Sequence, residues 1–331
     1  MGESERGMWR RGLSVGLKIA VTIGLVVLLL ARIELGAVAD RLQALSVYWA
    51  AAALAVMFVQ LGFAAWRWAL IAETLRAPLD AGAIIRLSAI GQFFNQTLPS
   101  AIGGDAVRAW MAGRHRPPMA RAVSAVVVDR VVALMILLLL IAVTLPLFFW
   151  RIADGAARLG VLLVAAAGVF GSIVLWRFGD SLARRLRQKR WASFIGGLLQ
   201  DLRAALFLGR SSVCVVALSF AVHVMVVGVV YLSASGLGLA IGPLDCLILV
   251  PPIVLLTMLP ISLAGWGVRE GAMVVGFGFV GVLAADAFAL SVAFGLLNAA
   301  TGLPGGLLWL IGDRRMPRAA ELIDAPRVER K

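Results

Sequence analysis

Ionisable residues are scarce in this chain, and two short clusters set them beside proline and glycine within apolar stretches. In NQTLPSAIGGDAVRAW, which begins at Asn95, Asp105 and Arg108 stand three residues apart, on one face of a helix. In LPISLAGWGVREGAM, which begins at Leu259, Arg269 is followed directly by Glu270. Each arginine comes shortly after proline and glycine: Pro99, Gly103 and Gly104 in one cluster, Pro260, Gly265 and Gly267 in the other. Proline blocks a continuing helix and glycine permits tight backbone, so each run ends one half-helix and starts another. The new half-helix points free N–H groups and its positive dipole end into the gap. An arginine on its first turns adds a fork of donors. The chemistry this suits is capture of an anionic group such as a phosphate. The bland alternative is that the charges sit at the membrane interface and set topology. Gln92, Asn95 and Gln96 precede the first break at i, i+3 and i+4. They either line a polar groove or satisfy backbone groups that the break frees. Asp129 and Arg130 are a cavity pair or interface anchors, Asn298 is helix–helix glue, and His223 is a packed polar residue.

The elements that must position these residues are membrane spans. The chain has 331 residues, 61% hydrophobic and 15% charged, with a mean hydropathy of +0.95. A soluble domain cannot hide that much apolar surface from water. Apolar runs at residues 13–31, 47–70, 122–149, 159–176, 213–233 and 287–311 approach or exceed the roughly 20 residues that cross a bilayer. Residues 81–110 and 244–282 are apolar too, but are broken in the middle by proline, glycine and charge. Irregular backbone cannot face lipid, so both are expected to be re-entrant or broken helices packed in protein or lining a wet cavity. The expected fold is an all-α polytopic membrane domain over residues 13–312, between a short N-terminal tail (1–12) and a C-terminal tail (313–331). The net charge of +13 is spread over short basic loops, as the positive-inside rule requires, and does not call for nucleic acid. Residues 177–210 are strongly basic and read as a cytoplasmic amphipathic segment on anionic headgroups, or as a plain topology signal. "AVAD" at residues 37–40 resembles a signal-peptidase site, although the preceding apolar run is long for a signal peptide and favours an uncleaved anchor. With Cys214, Cys246, His115 and His223 as the only cysteines and histidines, neither a disulfide framework nor a zinc set is expected, and no cofactor.

The broken segments also align with each other. LPSAIGGDAVR from Leu98 and LPISLAGWGVR from Leu259 match without a gap at Leu, Pro, Gly104/Gly265, Val107/Val268 and Arg108/Arg269, and a PLD stands upstream of each, at Pro78 and Pro243. With the N-terminus inside, span counting opens the first break from the cytoplasm and the second from outside, an inverted repeat of the kind used by transporters.

These same residues resemble a known family. NQTLPSAIGGDAVRAW, the later VVVDRVVAL and LPISLAGWGVREGAM are similar to the lysylphosphatidylglycerol synthase transmembrane, or flippase-like, family, which includes the lipid-flipping membrane half of multiple-peptide-resistance proteins. The resemblance runs from the second span to the last. It carries over functional positions to Asn95, Pro99, Gly103, Gly104, Asp105, Arg108 and Arg130, and to Pro260, Gly265, Gly267, Arg269 and Glu270. Fused members add a soluble aminoacyl-transfer domain. The present chain runs on for about twenty residues after its last apolar stretch, so a stand-alone member without transferase activity is expected.

The expected protein is a multi-pass protein of the inner cell membrane, and charge bias with span counting puts both termini in the cytoplasm. Its expected partners are membrane lipids, an anionic phospholipid or glycolipid, and enzymes of lipid biosynthesis. The expected function is movement of an anionic or glycosylated headgroup between leaflets, with Arg108, Arg269, Asp105, Glu270, Asn95, Gln92, Gly103, Gly104, Gly265, Gly267 and Arg130 binding it and Pro99 and Pro260 as hinges. The alternatives are a membrane-embedded lipid-modifying enzyme, for which Asp105, Asp129, Glu270 and His223 are the candidate groups, or an accessory subunit of an envelope pathway.

Overall fold

The computed structural model describes residues 35–98, 103–114, 118–188, 192–208, 211–258 and 266–312. The expected first span, both tails, His115, Pro99, Pro260 and Gly265 lie outside the described residues. Among those described the chain is all helix without a strand. Helix α1 (Leu35–Gln43) leads into α2 (Val47–Thr74); α3 (Ala81–Thr97) and α4 (Gly103–Gly113) follow, then α5 (Met119–Arg151) and α6 (Gly155–Gln188). After α7 (Ser193–Arg203) and a short π-helical turn (Ala204–Leu208) come α8 (Ser212–Gly236), α9 (Pro243–Met258), α10 (Val268–Gly278) and α11 (Ala284–Ile311). Five of these, α2, α5, α6, α8 and α11, are long and apolar enough to cross a membrane, matching the five expected spans that fall within the described residues. Large apolar side chains such as Val143, Leu163, Phe170 and Leu307 stand on their outer faces, as lipid-facing residues do.

Both interrupted segments are pairs of helices. Asp80 caps α3 by accepting from the Ala83 N–H, and α3 stops at Thr97, where Leu98 turns extended. Gly267, at φ 84°, opens α10, a conformation that favours glycine, and Glu270 accepts from its N–H. The aspartates of the two upstream PLD motifs act differently: Asp80 stands before its helix, whereas Asp245, on the first turn of α9, reaches back to accept from the Gly242 N–H.

The packing repeats. If α2, α3, α4 and α5 are exchanged for α8, α9, α10 and α11, every substantial helix contact among these eight maps onto another. Thus α2 packs on α8, and α3 on α11 as α9 does on α5. The short helices join the scheme: α1 docks on α11, and α7 on α5. Arg41–Asp286 at 2.7 Å ties the first of these, and Arg121–Asp201 at 3.6 Å the second. Partial burial holds the Asp201 carboxyl above its ordinary range, against the opposing pull of Arg121. Residues 37–40 of the AVAD motif lie in α1, with Val38 buried in the core.

The described part of the basic stretch at residues 177–210 is divided among helices. Residues 177–188 continue α6, whose last turn places Arg185 and Arg187 where the helix dipole favours cations. Only after Gln188 does the chain turn back into α7, held by Arg203–Asp180 at 3.0 Å.

Close backbone approach sets where the broken helices lie. On α11, Gly302, Gly305 and Gly306 face α3, and a Cβ on Gly305 would run into the backbone of Ala89. Small residues at this spacing are how helices associate in lipid. We expect Gly305→Ala to lower the melting temperature of the detergent-solubilised protein, at about 1–3 kcal/mol for the forced shift. Gly228→Ala on α8, where a Cβ meets nothing, should leave it unchanged. Equal effects at both positions would contradict this contact.

Candidate functional site

A cavity of about 220 Å³ lies where α2, α3, α4, α5, α8, α9 and α11 converge. Helical periodicity puts polar groups on its wall: Gln60 and Arg67 face it from α2, and Ser88, Gln92 and Asn95 from one face of α3. Asp105 and Arg108 reach it from α4, Asp129 and Arg130 from α5, and Asn298 from α11. Val254 and Met258, on the half-helix before the second break, close it from the other half of the molecule.

Its charged core is one connected ion cluster. Asp129 accepts from Arg67 Nε at 2.8 Å and from Arg108 Nη2 at 3.0 Å, one guanidinium on each oxygen. Asp105 is held by both donors of Arg130, one at 2.8 Å, and lies 3.5 Å from Arg108. Arg67, Arg108 and Asp129 are 4%, 7% and 2% exposed. Arg130 retains 46% side-chain exposure and faces the cavity. Arg108 also stacks on Trp68, with 4.5 Å from Cζ to the ring centroid, worth about 2 kcal/mol when desolvated. Two donors in this cluster, Arg108 Nε and Ser88 Oγ, are buried without a hydrogen-bond partner among the described residues.

The first break is built to bring α4 against α3. Gly104 N–H donates to Asn95 Oδ1 at 3.0 Å, and a Cβ on Gly104 would strike the Gly91 carbonyl and Asn95 itself. Gly103 packs as closely on Leu98. Gln92 and Asn298 approach at 3.5 Å across α3 and α11. His223 Nε2 donates to the Ala133 carbonyl at 2.8 Å, a packed polar contact between α8 and α5.

Of the residues expected from sequence, Gln92, Asn95, Asp105, Arg108 and Arg130 therefore meet at one cavity, with Gly103 and Gly104 supporting the approach of their helix. The others gather separately. Arg269 donates from Nε and Nη2 to Glu270, at 3.1 and 2.6 Å, and from Nε to Ser291 at 3.2 Å. It stacks on Trp266 at 4.6 Å and fills the space left by Gly295, and Gly267 caps its helix. Neither Arg269 nor Glu270 lines the cavity. Ser291 follows its arginine by 22 residues where Asp129 follows Arg108 by 21, so the second half carries a hydroxyl where the first has a carboxylate.

Sequence reasoning missed Arg67, Trp68, Ser88 and Gln60. Arg67 carried a signal, a charge within the apolar run at residues 47–70. Gln60 and Ser88 did not, because which face of a span turns inward is a matter of packing.

The family model for the lysylphosphatidylglycerol synthase transmembrane region matches residues 15–306. The chain belongs to that family. No curated protein and no solved structure matches it. The membership agrees with a multi-pass membrane protein concerned with lipids, and of the three segments that suggested it two fall on the broken helix pairs and VVVDRVVAL falls on α5.

Asp129 is the group on which the cluster turns. Asp129→Asn should destabilise the protein by about 3–5 kcal/mol, because two buried guanidiniums lose their counter-charge. Adding Arg67→Met should restore part of the loss, since it removes one of the stranded charges. A double-mutant cycle on thermal or denaturant unfolding in detergent tests this, and strict additivity would contradict it.

Proposed function

We propose that this chain is an integral membrane lipid transporter that moves an anionic or glycosylated headgroup between leaflets through two opposed re-entrant hairpins, α3/α4 and α9/α10. The observation that carries the reading is the ion-lined cavity between the two halves of an otherwise apolar molecule. Burying such a cluster costs several kcal/mol per ion before pairing, and well-packed apolar residues would do as well for stability alone. Ionisable groups kept inside membrane segments mark substrate paths. The cavity is smaller than the roughly 300–1,000 Å³ of drug-sized sites, which suits a headgroup whose acyl chains stay in the bilayer. The name of the family, which refers to an aminoacylated phospholipid, supports lipid as the cargo class.

The exchange symmetry of the packing supports alternating access. In the present arrangement the first hairpin borders a cavity, while the second holds its arginine closed against Glu270, Ser291 and Trp266. Rocking the halves would open the second and close the first. The protein sits in the inner cell membrane with cytoplasmic termini, and enzymes of lipid biosynthesis are its natural partners.

Two experiments test the reading. In proteoliposomes, Arg108→Ala should reduce flux of a fluorescent anionic lipid about ten- to a hundredfold, the worth of a charged hydrogen bond. Arg108→Lys should recover part of that flux, because it keeps the charge and loses the planar fork. Normal flux per inserted molecule in both variants would remove the anion-site mechanism. For the topology, single cysteines replacing Arg114, after α4, and Ala240, before α9, in a background without Cys214 and Cys246, should react with an impermeant thiol reagent from opposite membrane faces. Labelling from one face would defeat the inverted hairpins.

A further inference from the structure

We propose that the cavity selects a phosphodiester headgroup that carries hydroxyls and no amine. This rests on the transport reading for its biological setting, but the selectivity follows from the cavity itself. Three guanidiniums, of Arg67, Arg108 and Arg130, face two carboxylates, of Asp105 and Asp129, leaving one positive charge in surplus. A single phosphodiester anion balances it.

The distribution of hydrogen bonds sharpens the choice. All four carboxylate oxygens are already engaged: Asp129 by Arg67 and Arg108, one on each oxygen, and Asp105 by Arg130 on both. A headgroup ammonium would enter a pocket of net positive charge in which every carboxylate oxygen already accepts from a guanidinium. Anionic oxygens meet the opposite situation. Arg108 Nε and Ser88 Oγ are buried donors without a partner among the described residues, and both residues line the cavity. A buried donor left unpaired is costly, and a phosphate oxygen drawn in beside these residues would relieve that cost. Beside them the guanidinium of Arg130 faces the cavity, still half-exposed.

The rest of the polar wall is uncharged and mostly carboxamide: Gln60, Gln92, Asn95 and Asn298, beside His223 and Thr301, whose ring and hydroxyl already donate to the Ala133 and Leu297 carbonyls. A carboxamide both donates and accepts, and so matches a hydroxyl, which does the same. The volume of about 220 Å³ admits a phosphate with a small polyol and excludes acyl chains.

The test uses the full chain purified in detergent, with soluble headgroups as probes, and the same protein in vesicles. Glycerophosphoglycerol should raise the melting temperature in a saturable way, and glycerophosphoethanolamine should bind about tenfold more weakly or less. Ser88→Ala should weaken glycerophosphoglycerol binding several-fold without lowering the unliganded melting temperature, because the hydroxyl it removes has no hydrogen-bond partner among the described residues. Gln60→Glu, which cancels the surplus charge, should shift preference toward the amine headgroup, an outcome that simple damage to the fold would not produce. Equal binding of the two headgroups, or no binding of either, would overturn the proposal. Inorganic phosphate binding as tightly as glycerophosphoglycerol would also overturn it, by assigning the site to free phosphate. In vesicles, acyl-labelled phosphatidylglycerol should cross faster than phosphatidylethanolamine. Absence of any lipid flux alongside selective headgroup binding would sink the transport reading and leave this inference standing. Flux without headgroup discrimination would do the reverse.

Discussion

A carboxylate that must satisfy two buried guanidiniums governs the organisation of this protein. Asp129 on α5 holds Arg67 from α2 and Arg108 from α4, so three separate elements converge on one side chain. In an apolar medium none of these charges can be left alone. The consequence is directional: α4 must approach α5 with its arginine inward, and it can do so only because Gly104 lets its backbone come against α3. The break between α3 and α4, the glycines after it and the ion cluster are thus one device.

The second half repeats the scaffold without repeating the chemistry. The helix contacts of α8–α11 mirror those of α2–α5, and the two arginines stack alike on tryptophan, at 4.5 and 4.6 Å. Yet Arg269 is closed by its own neighbour Glu270 and by Ser291, while Arg108 depends on carboxylates that also serve Arg67 and Arg130. An ion pair made within one turn is self-contained and needs no cavity. A cluster spread over three helices borders the space between them, and leaves Arg108 Nε buried without a partner among the described residues. This difference concentrates the proposed binding chemistry on the first helix pair and leaves the arginine of the second paired within its own surroundings.

The cavity also explains why the polar residues of α2 and α3 recur at helical spacing within apolar surroundings. Gln60 and Arg67 stand on one face of α2, and Ser88, Gln92 and Asn95 on one face of α3. Their opposite faces are apolar and meet lipid or the hydrophobic core. The glycines of α11 press that helix onto α3 and bring Asn298 to the same wall. Headgroup selectivity, in the proposal above, is a property of how these faces are turned rather than of any one motif.

The sequence by itself determined the membrane class, the five described spans and both helix breaks. Apolar runs of bilayer length, proline–glycine interruptions and a Leu-Pro…Gly…Val-Arg repeat are local signals that survive without knowledge of packing. It also determined that Asp105, Arg108, Arg269 and Glu270 stand at the breaks. Only the tertiary structure decided which charges meet. Arg67 and Asp129 are 62 residues apart and share no motif, and the pairing of Arg130 with Asp105 rather than with its neighbour Asp129 depends on how α4 crosses α5. The separation of the Arg269–Glu270 pair from the cavity was equally invisible, because aligned motifs carry no information about whether a hairpin is open or closed. Periodicity and composition are properties of a segment, whereas a counter-ion, a cavity wall and an exposed face exist only between segments. Those are fixed by the rotation of each helix against its neighbours.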